Sequence, residues 1–394
     1  MPLTIGVPAE TYPDESRVAM TPRTAEMLVK SGVEVLLESG AGSAAGFPDS
    51  EYESKGAGLA RTRSEVFERS AIIVQVRTLG ANPDAGRSDL SLFRTGQAVV
   101  GFGEPLSPGT HYAELAERGV TSFAMELIPR ITRAQSMDAL SSMATIAGYK
   151  AVLMVASALP RMFPMLMTAA GTIVPARVLV LGAGVAGLQA IATARRLGAV
   201  VSAYDVRPAV KEQVESLGAK FVSLALDTTS AEGAGGYATA LGEEFYKKQR
   251  QLLGEVVREH DVVISTAVVP GQKAPILLTR EMIAAMAPGS IVLDLAAERG
   301  GNCELTEPGR TIVESGVSIM GPLNVPSTVP YHASQMYARN VAAFLKNLVR
   351  DGALAIDTED EITRETLVTH AGEIVHPRVR VVTGKEQPES DAVR

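Results

Sequence analysis

Short runs of apolar, often β-branched residues recur along the first third of the chain. They alternate with segments in which apolar positions return every three or four residues. The runs at 3–7, 33–38, 71–76, 98–102 and 120–125 read as strands. Between the first two, Thr21-Pro22 supplies an N-cap and a first helical residue ahead of a helix over 24–31. The rhythm returns later, with strands expected at 178–181, 199–203, 220–224, 262–266 and 290–295 and a helix at 240–259. Between the two series, 136–165 reads as a long apolar helix that stops near Pro160 and Pro164. A second long helix, 331–349, is expected to carry the chain back to the first domain. Strands alternating with helices imply largely parallel sheets, here in two α/β domains joined by those helices. The first comprises 1–137 plus 328–394, and the second 138–327. Two stretches break the pattern. Residues 227–237 have no hydrophobic period and contain three glycines, so a mobile loop is expected over about 227–239, with Tyr237 positioned to stack on a ligand or simply exposed. The polar tail from Gly384 is expected to fray.

One segment carries chemistry. The strand at 178–181 runs directly into Gly182-Ala-Gly184-Val185-Ala186-Gly187 and an Ala-rich helix, and the next strand ends at Tyr204-Asp205-Val206-Arg207. Each part has a task in holding a dinucleotide. Gly182 permits the tight turn, Gly184 lets a pyrophosphate approach the backbone, and Gly187 lets the helix lie close on the sheet. The helix N-terminus at Val185 and Ala186 offers unpaired N–H groups and a partial positive charge to phosphate. Asp205 is placed to accept hydrogen bonds from the adenosine ribose and would repel a 2′-phosphate, which favours NAD(H). Arg207 points the other way, since an arginine there can accommodate that phosphate. Val206, Thr266, Ala267 and Tyr237 complete the predicted cofactor set. The fold expected is thus α/β with two Rossmann-like doubly wound domains, the first lacking a phosphate fingerprint of its own.

Composition narrows the classes. Of 394 residues, 46% are hydrophobic and 21% charged, which are globular values, and the net charge of −7 argues against a nucleic-acid surface. The single cysteine, Cys303, rules out a disulfide framework within the chain and suits a reducing cytoplasm. With Cys303 alone and no histidine pair at ligand spacing, no metal site is expected. The N-terminus shows neither a basic segment nor a long apolar core, so no signal peptide is read there. Apolar stretches between Ala151 and Ala194 are interrupted by Pro160, Arg161, Pro164, Pro175 and Arg177, and no direct membrane span is expected.

Longer motifs then suggest a family. Glu126-Leu-Ile-Pro-Arg130-Ile-Thr-Arg-Ala-Gln135-Ser-Met-Asp138, Thr168-Ala-Ala-Gly-Thr, the glycine fingerprint, Lys211-Glu-Gln-Val-Glu-Ser-Leu-Gly, Gly235-Gly-Tyr-Ala, Gly300-Gly-Asn-Cys and Gly321-Pro-Leu-Asn-Val-Pro-Ser resemble the NAD(H)-binding component of proton-translocating nicotinamide nucleotide transhydrogenase. Alanine dehydrogenase is the relative of like architecture. The resemblance implies direct hydride transfer from NADH on this chain to NADP+ on a separate NADP-binding (beta) subunit. It also implies a membrane-spanning subunit that couples the transfer to proton movement. By the same likeness the component is a homodimer with a cleft between its domains, peripheral on the cytoplasmic face of the inner membrane. Arg130, Gln135 and Asp138 match family residues that surround the nicotinamide; Gln135 would orient the reacting ring or ribose, and Asp138 with Ser141 would bond the carboxamide.

Chemistry separates the two relatives. Hydride transfer between nicotinamides moves no substrate proton, so it requires positioning and exclusion of water rather than an acid or base. An amino-acid dehydrogenase must hold a carboxylate and protonate an imine or carbonyl. Alanine dehydrogenases carry a substrate lysine where this chain has Arg77, and a catalytic histidine at the strand end that here reads Phe102-Gly-Glu. None of His111, His260, His332, His370 and His376 lies at that strand end. An acid before Gly-Gly is kept as Glu298. An alanine dehydrogenase-like enzyme acting alone, or a module that senses NADH, are the alternatives.

Overall fold

The computed structural model describes residues 2–384 apart from 108, 110, 227–242, 270 and 351. The expected loop at 227–239, with Tyr237, therefore lies outside the described residues. The chain divides into two compact units, Met1–Met143 with Ser327–Arg394, and Ala144–Pro326. Arg130, Gln135, Asp138 and Ser141 all fall in the first, and the glycine fingerprint falls in the second.

In chain order the strands of the first unit's leading segment are β1 (Thr4–Val7), β2 (Glu34–Glu38), β3 (Gly58–Ala60), β4 (Ile72–Arg77), β5 (Ala98–Phe102) and β6 (Thr121–Ala124). The second unit has a hairpin, β7 (Leu166–Thr168) and β8 (Gly171–Ile173). It continues with β9 (Arg177–Leu181), β10 (Val200–Tyr204), β11 (Lys220–Phe221), β12 (Val262–Ser265), β13 (Ile291–Asp294), β14 (Thr311–Glu314) and β15 (Val317–Met320). Back in the first unit come a small hairpin, β16 (Val349–Arg350) and β17 (Ala353–Leu354), then β18 (Leu367–His370) and β19 (Glu373–Ile374).

The first sheet runs β3-β2-β1-β4-β5-β6-β18-β19, parallel through β6 and antiparallel beyond it. The second runs β11-β10-β9-β12-β13-β15-β14, parallel except for β14. Both have the doubly wound order, which leaves a crevice at the carboxyl ends of the two central strands where the winding direction reverses. In the second unit that point lies between β9 and β12. Alternate residues of β9 build opposite layers: Val178 and Val180 join one buried cluster, Leu179 and Leu181 another.

The sequence expectations need three corrections. The apolar helix runs Ala139–Ala158, not 136–165; Asp138 occupies its cap position, and the methionine-rich end beyond Pro160 belongs to the β7–β8 hairpin. The second long helix, Pro330–Leu348, lies wholly inside the first unit, because the chain has already re-entered it at Ser327. The strand expected at 220–224 pairs only over Lys220–Phe221. Helix Ala139–Ala158 is long and apolar enough to cross a membrane by length and composition alone. Its Ala151, Val152 and Val155 are instead buried in the core against β9 and β12.

Candidate functional site

The strand-to-helix turn of the second unit is built by three glycines with different tasks. Gly182 sits at φ +95°, and its N–H donates to the Tyr204 carbonyl at 2.8 Å. A Cβ there would fall 2.7 Å from Thr266 Oγ1, whose hydroxyl donates to the Gly182 carbonyl at 3.0 Å. At Gly187 a Cβ would lie 1.9 Å from the Gly182 carbonyl oxygen, so no side chain fits. Gly184 is different: a Cβ there meets nothing within 4 Å. Open space therefore lies in front of helix Val185–Arg196. The first intrahelical bond, Leu188 N–H to the Gly184 carbonyl, leaves the N–H groups of Val185, Ala186 and Gly187 ahead of the helical ladder. This is chemistry suited to a pyrophosphate.

Asp205 closes the opposite wall. The residue is buried, and its carboxylate accepts the Ala183 N–H at 2.7 Å and three donors of Arg207: the backbone N–H at 2.9 Å, Nε at 2.9 Å and Nη2 at 2.7 Å. Arg207 is thus folded back onto the acid rather than extended toward a 2′-phosphate. Two residues absent from the predicted set shape the β12 side. Asn302 is fully buried; its amide accepts the Ala267 N–H at 3.0 Å and donates to the Ala267 carbonyl at 2.8 Å and the Pro275 carbonyl at 2.9 Å. Asp294, also fully buried, accepts Ser265 Oγ, Thr306 Oγ1 and the N–H groups of Ala296, Asn302 and Cys303. The chain past β12 is held there by a side-chain amide that imitates a neighbouring strand. Gly300-Gly-Asn-Cys pointed to this place, but only folding shows what Asn302 touches.

In the first unit, Gln135 is exposed on the 3₁₀ turn Thr132–Met137, which is pinned by buried Ala134 and Met137. Arg130, just ahead of it, is exposed as well. Asp138 caps helix Ala139–Ala158: Oδ1 accepts the Ser141 N–H at 2.8 Å and Oδ2 the Ser141 hydroxyl at 2.6 Å. Asp138 and Ser141 therefore form one capping pair at the helix entrance.

Residues 6–147 match the family description "Alanine dehydrogenase/PNT, N-terminal domain", and residues 151–377 match "Alanine dehydrogenase/PNT, C-terminal domain". An NAD(P) transhydrogenase subunit alpha polypeptide of Rhodospirillum rubrum is 46% identical over 376 residues, covering 95% of this chain and 98% of that protein. The chain belongs to the NAD(P) transhydrogenase alpha-subunit family. The crystal structure of a transhydrogenase from Sinorhizobium meliloti superposes with a TM-score of 0.84 at 45% identity, over 94% of this chain and 100% of that one. An L-alanine dehydrogenase structure follows at TM-score 0.81 and 26% identity, over 97% and 99% of the two chains. Both likenesses bear out the two-sheet α/β architecture.

As an alpha subunit of this family, the chain is an oxidoreductase component that binds a nicotinamide nucleotide. At the end of β5, Phe102 packs against Tyr337 with ring centroids 5.2 Å apart, and the Tyr337 hydroxyl donates to the Gln75 carbonyl at 2.7 Å. At the end of β4, Arg77 stacks on Tyr12 and its Nε lies 3.3 Å from Glu15 Oε2. The buried Glu15 carboxylate is also gripped by Arg17, with Nε 2.7 Å from Oε1 and Nη2 2.5 Å from Oε2. The histidines are engaged elsewhere. His111 contacts Glu114 at 2.8 Å, His260 Nδ1 the Val256 carbonyl at 2.7 Å, and His370 Nδ1 Thr121 at 3.1 Å; the His332 ring packs edge-on against Tyr331. Burial pulls His376 down to about 4. Glu298 accepts the Asn324 N–H at 2.6 Å. Two carboxyls in the first unit do titrate near neutrality: burial pushes Glu10 up to about 7 and Glu126, the first residue of the motif ahead of Arg130, up to about 8, the latter with help from Glu104. Glu10 is committed to the Val76 and Arg77 N–H groups at 2.6 and 3.1 Å. Glu126 accepts Gly103 and Glu104 N–H groups at 2.8 and 2.7 Å.

Proposed function

We propose that this chain is the NAD(H)-binding subunit of a proton-translocating transhydrogenase. NADH is held by the fingerprint of the second unit, through Gly182, Gly184, Val185, Ala186 and Gly187 for the pyrophosphate and Asp205, Val206 and Arg207 for the adenosine side. Thr266 and Ala267 line the same site. Bound NADH supplies a hydride, which passes directly and reversibly to NADP+ on a partner NADP-binding subunit. A membrane-spanning subunit couples that transfer to proton movement, and this chain sits peripherally on the cytoplasmic face. Gln135 orients the reacting ring, Arg130 reaches a phosphate, and Asp138 with Ser141 bonds the carboxamide; no metal takes part.

The observation that carries this reading against an amino-acid dehydrogenase is Phe102. An aromatic ring packed on Tyr337 stands at the strand end where an alanine dehydrogenase carries its catalytic histidine, and hydride transfer between nicotinamides requires no acid or base there. Arg17 and Arg77 support the reading, since Glu15 of the chain itself answers the charge with which they would bind a substrate carboxylate. In the test, the purified chain is mixed with an NADP-binding subunit and NADH-dependent reduction of an NADP analogue is followed. Rapid transfer is expected, with no NADH-dependent amination of pyruvate by the chain alone. Gln135→Asn, which shortens the reach by one methylene, should slow transfer by about a hundredfold while changing the NADH dissociation constant only severalfold, because small displacements of reacting atoms are costly and most nucleotide affinity comes from the phosphate and adenosine. Pyruvate amination, or normal transfer by Gln135→Asn, would overturn the assignment.

A further inference from the structure

We propose that Asn340, on helix Pro330–Leu348, is a positioning residue for the turn that carries Gln135, and acts on the hydride step rather than on NADH binding. The inference rests on the reading that Gln135 orients the reacting nucleotide. A 3₁₀ turn of six residues has poor internal hydrogen-bond geometry and keeps its shape only if its surroundings hold it. Ala134 and Met137 anchor one side by burial. The polar side is held by the helix: Asn340 Nδ2 donates to the Ser136 carbonyl at 2.9 Å, one residue beyond Gln135. Two turns farther along the same helix face, Asn347 Oδ1 lies 3.5 Å from Arg133 Nη1, while its Nδ2 donates to Asp360 Oδ2 at 2.9 Å. Arg133 in turn pairs with Asp360. Both flanks of Gln135 are therefore tied to one helix.

Asn340 is an expensive choice for its position. It is 7% exposed and shares the helix with buried Tyr337, Val341 and Phe344, and its Oδ1 has no hydrogen-bond partner. A half-satisfied buried amide weakens a core that leucine would fill without loss. The bond to Ser136 is what asparagine supplies there and leucine cannot.

Asn340→Leu keeps the branched shape and number of heavy atoms, deletes the donor and removes the orphaned oxygen. The expected result with the NADP-binding subunit present is transfer slowed about ten- to a hundredfold, a scale set by small misplacements of reacting groups. The NADH dissociation constant should stay within about twofold and the melting temperature should be equal or higher. A merely structural asparagine would lower stability and NADH affinity together, and that outcome overturns the proposal. So does normal transfer. Gln135→Asn is measured beside it: if only Gln135→Asn is slow, the Asn340 anchor fails; if neither is slow, the reading of Gln135 itself has failed.

Discussion

In the proposed NAD(H) site, Asp205 would set nucleotide choice in two ways. The carboxylate would repel a 2′-phosphate, and it also holds the Arg207 guanidinium, which could welcome one, through bonds of 2.7–2.9 Å. Charge-assisted bonds of this kind are worth about 1.5–3 kcal/mol each, so Asp205→Asn should weaken NADH by about ten- to a hundredfold. The same change releases Arg207, and NADPH should gain what NADH loses. Arg207→Ala, by contrast, should leave the preference for NADH intact. Titrating both variants with both nucleotides by fluorescence decides the matter, and an unchanged NADH/NADPH ratio in Asp205→Asn would remove Asp205 from the role. Glu126 makes a different kind of prediction. Its Oε2 is buried without a partner, and burial raises the group from 4.5 to about 8. The folded state therefore binds this proton more tightly than the unfolded chain, so the stabilisation is fully present below pH 4.5 and is lost as pH rises through about 8. Glu126→Gln should melt like wild type near pH 4.5 and higher than wild type above pH 8, by about 1–3 kcal/mol. Parallel melting curves for the two proteins from pH 5 to 9 would exclude that role.

Elements meet the site through contacts that no short motif announces. Helix Ala139–Ala158 crosses the fingerprint helix at Gly148, where a Cβ would lie 2.1 Å from the Ala186 carbonyl oxygen. The obstacle is backbone, which cannot swing aside. Gly148→Ala gains about 1 kcal/mol of helix propensity but overpacks a rigid contact at about 1–3 kcal/mol. The variant should melt several degrees lower and bind NADH more weakly, because Ala186 belongs to the first turn over the open space. A melting temperature raised by the propensity gain alone would mean the helices part freely. Gly148 also marks where sequence reading stops. The central parallel strands of both sheets are readable because burial on two faces gives continuous apolar runs, whereas the short or half-exposed outer strands β3, β14, β15, β18 and β19 are not; the fingerprint is readable because its three glycines, strand and acid stand in fixed order. The hairpin β14–β15 had a turn signal, since Ser315 and Gly316 both adopt positive φ between paired Glu314 and Val317, a two-residue turn with a known residue preference. The exposed, weakly apolar β14 hid it. Gly148, Asn302, Asp294 and Asn340 act by contacts with residues distant in the chain, and no period records those.

At the scale of the whole molecule, the two units share the order of their first five parallel strands but differ at the switch point. Where the second unit leaves open space at Gly184, the first places Glu10 across the carboxyl end of β4, filling the matching crevice with the chain's own carboxyl group. One unit is thus fit for a phosphate and the other is closed to one. For the homodimer that the family resemblance implies, we propose the β7–β8 hairpin as a contact surface. Every residue of its two three-residue strands is exposed, and Met167 and Val174 are 80% and 77% exposed beside Met165, Leu166 and Ile173. An isolated two-stranded hairpin is marginal in water, and a cluster of exposed apolar side chains at its tip and flanks marks an interaction surface. Its base is fixed, since the Ala176 N–H is bonded to the carbonyls of Met162 and Phe163 and Phe163 is buried in the sheet core. A second copy of this chain is the partner that a homodimer assigns to the surface. Met167→Glu combined with Val174→Glu would put two charges into that contact and should shift the protein from dimer to monomer in sedimentation at micromolar concentration. The fingerprint does not include these residues, so the monomer should still bind NADH with near-normal affinity. A variant that remains dimeric would move the interface elsewhere on the chain, and one that loses NADH binding would tie the hairpin to the fold of the second unit instead.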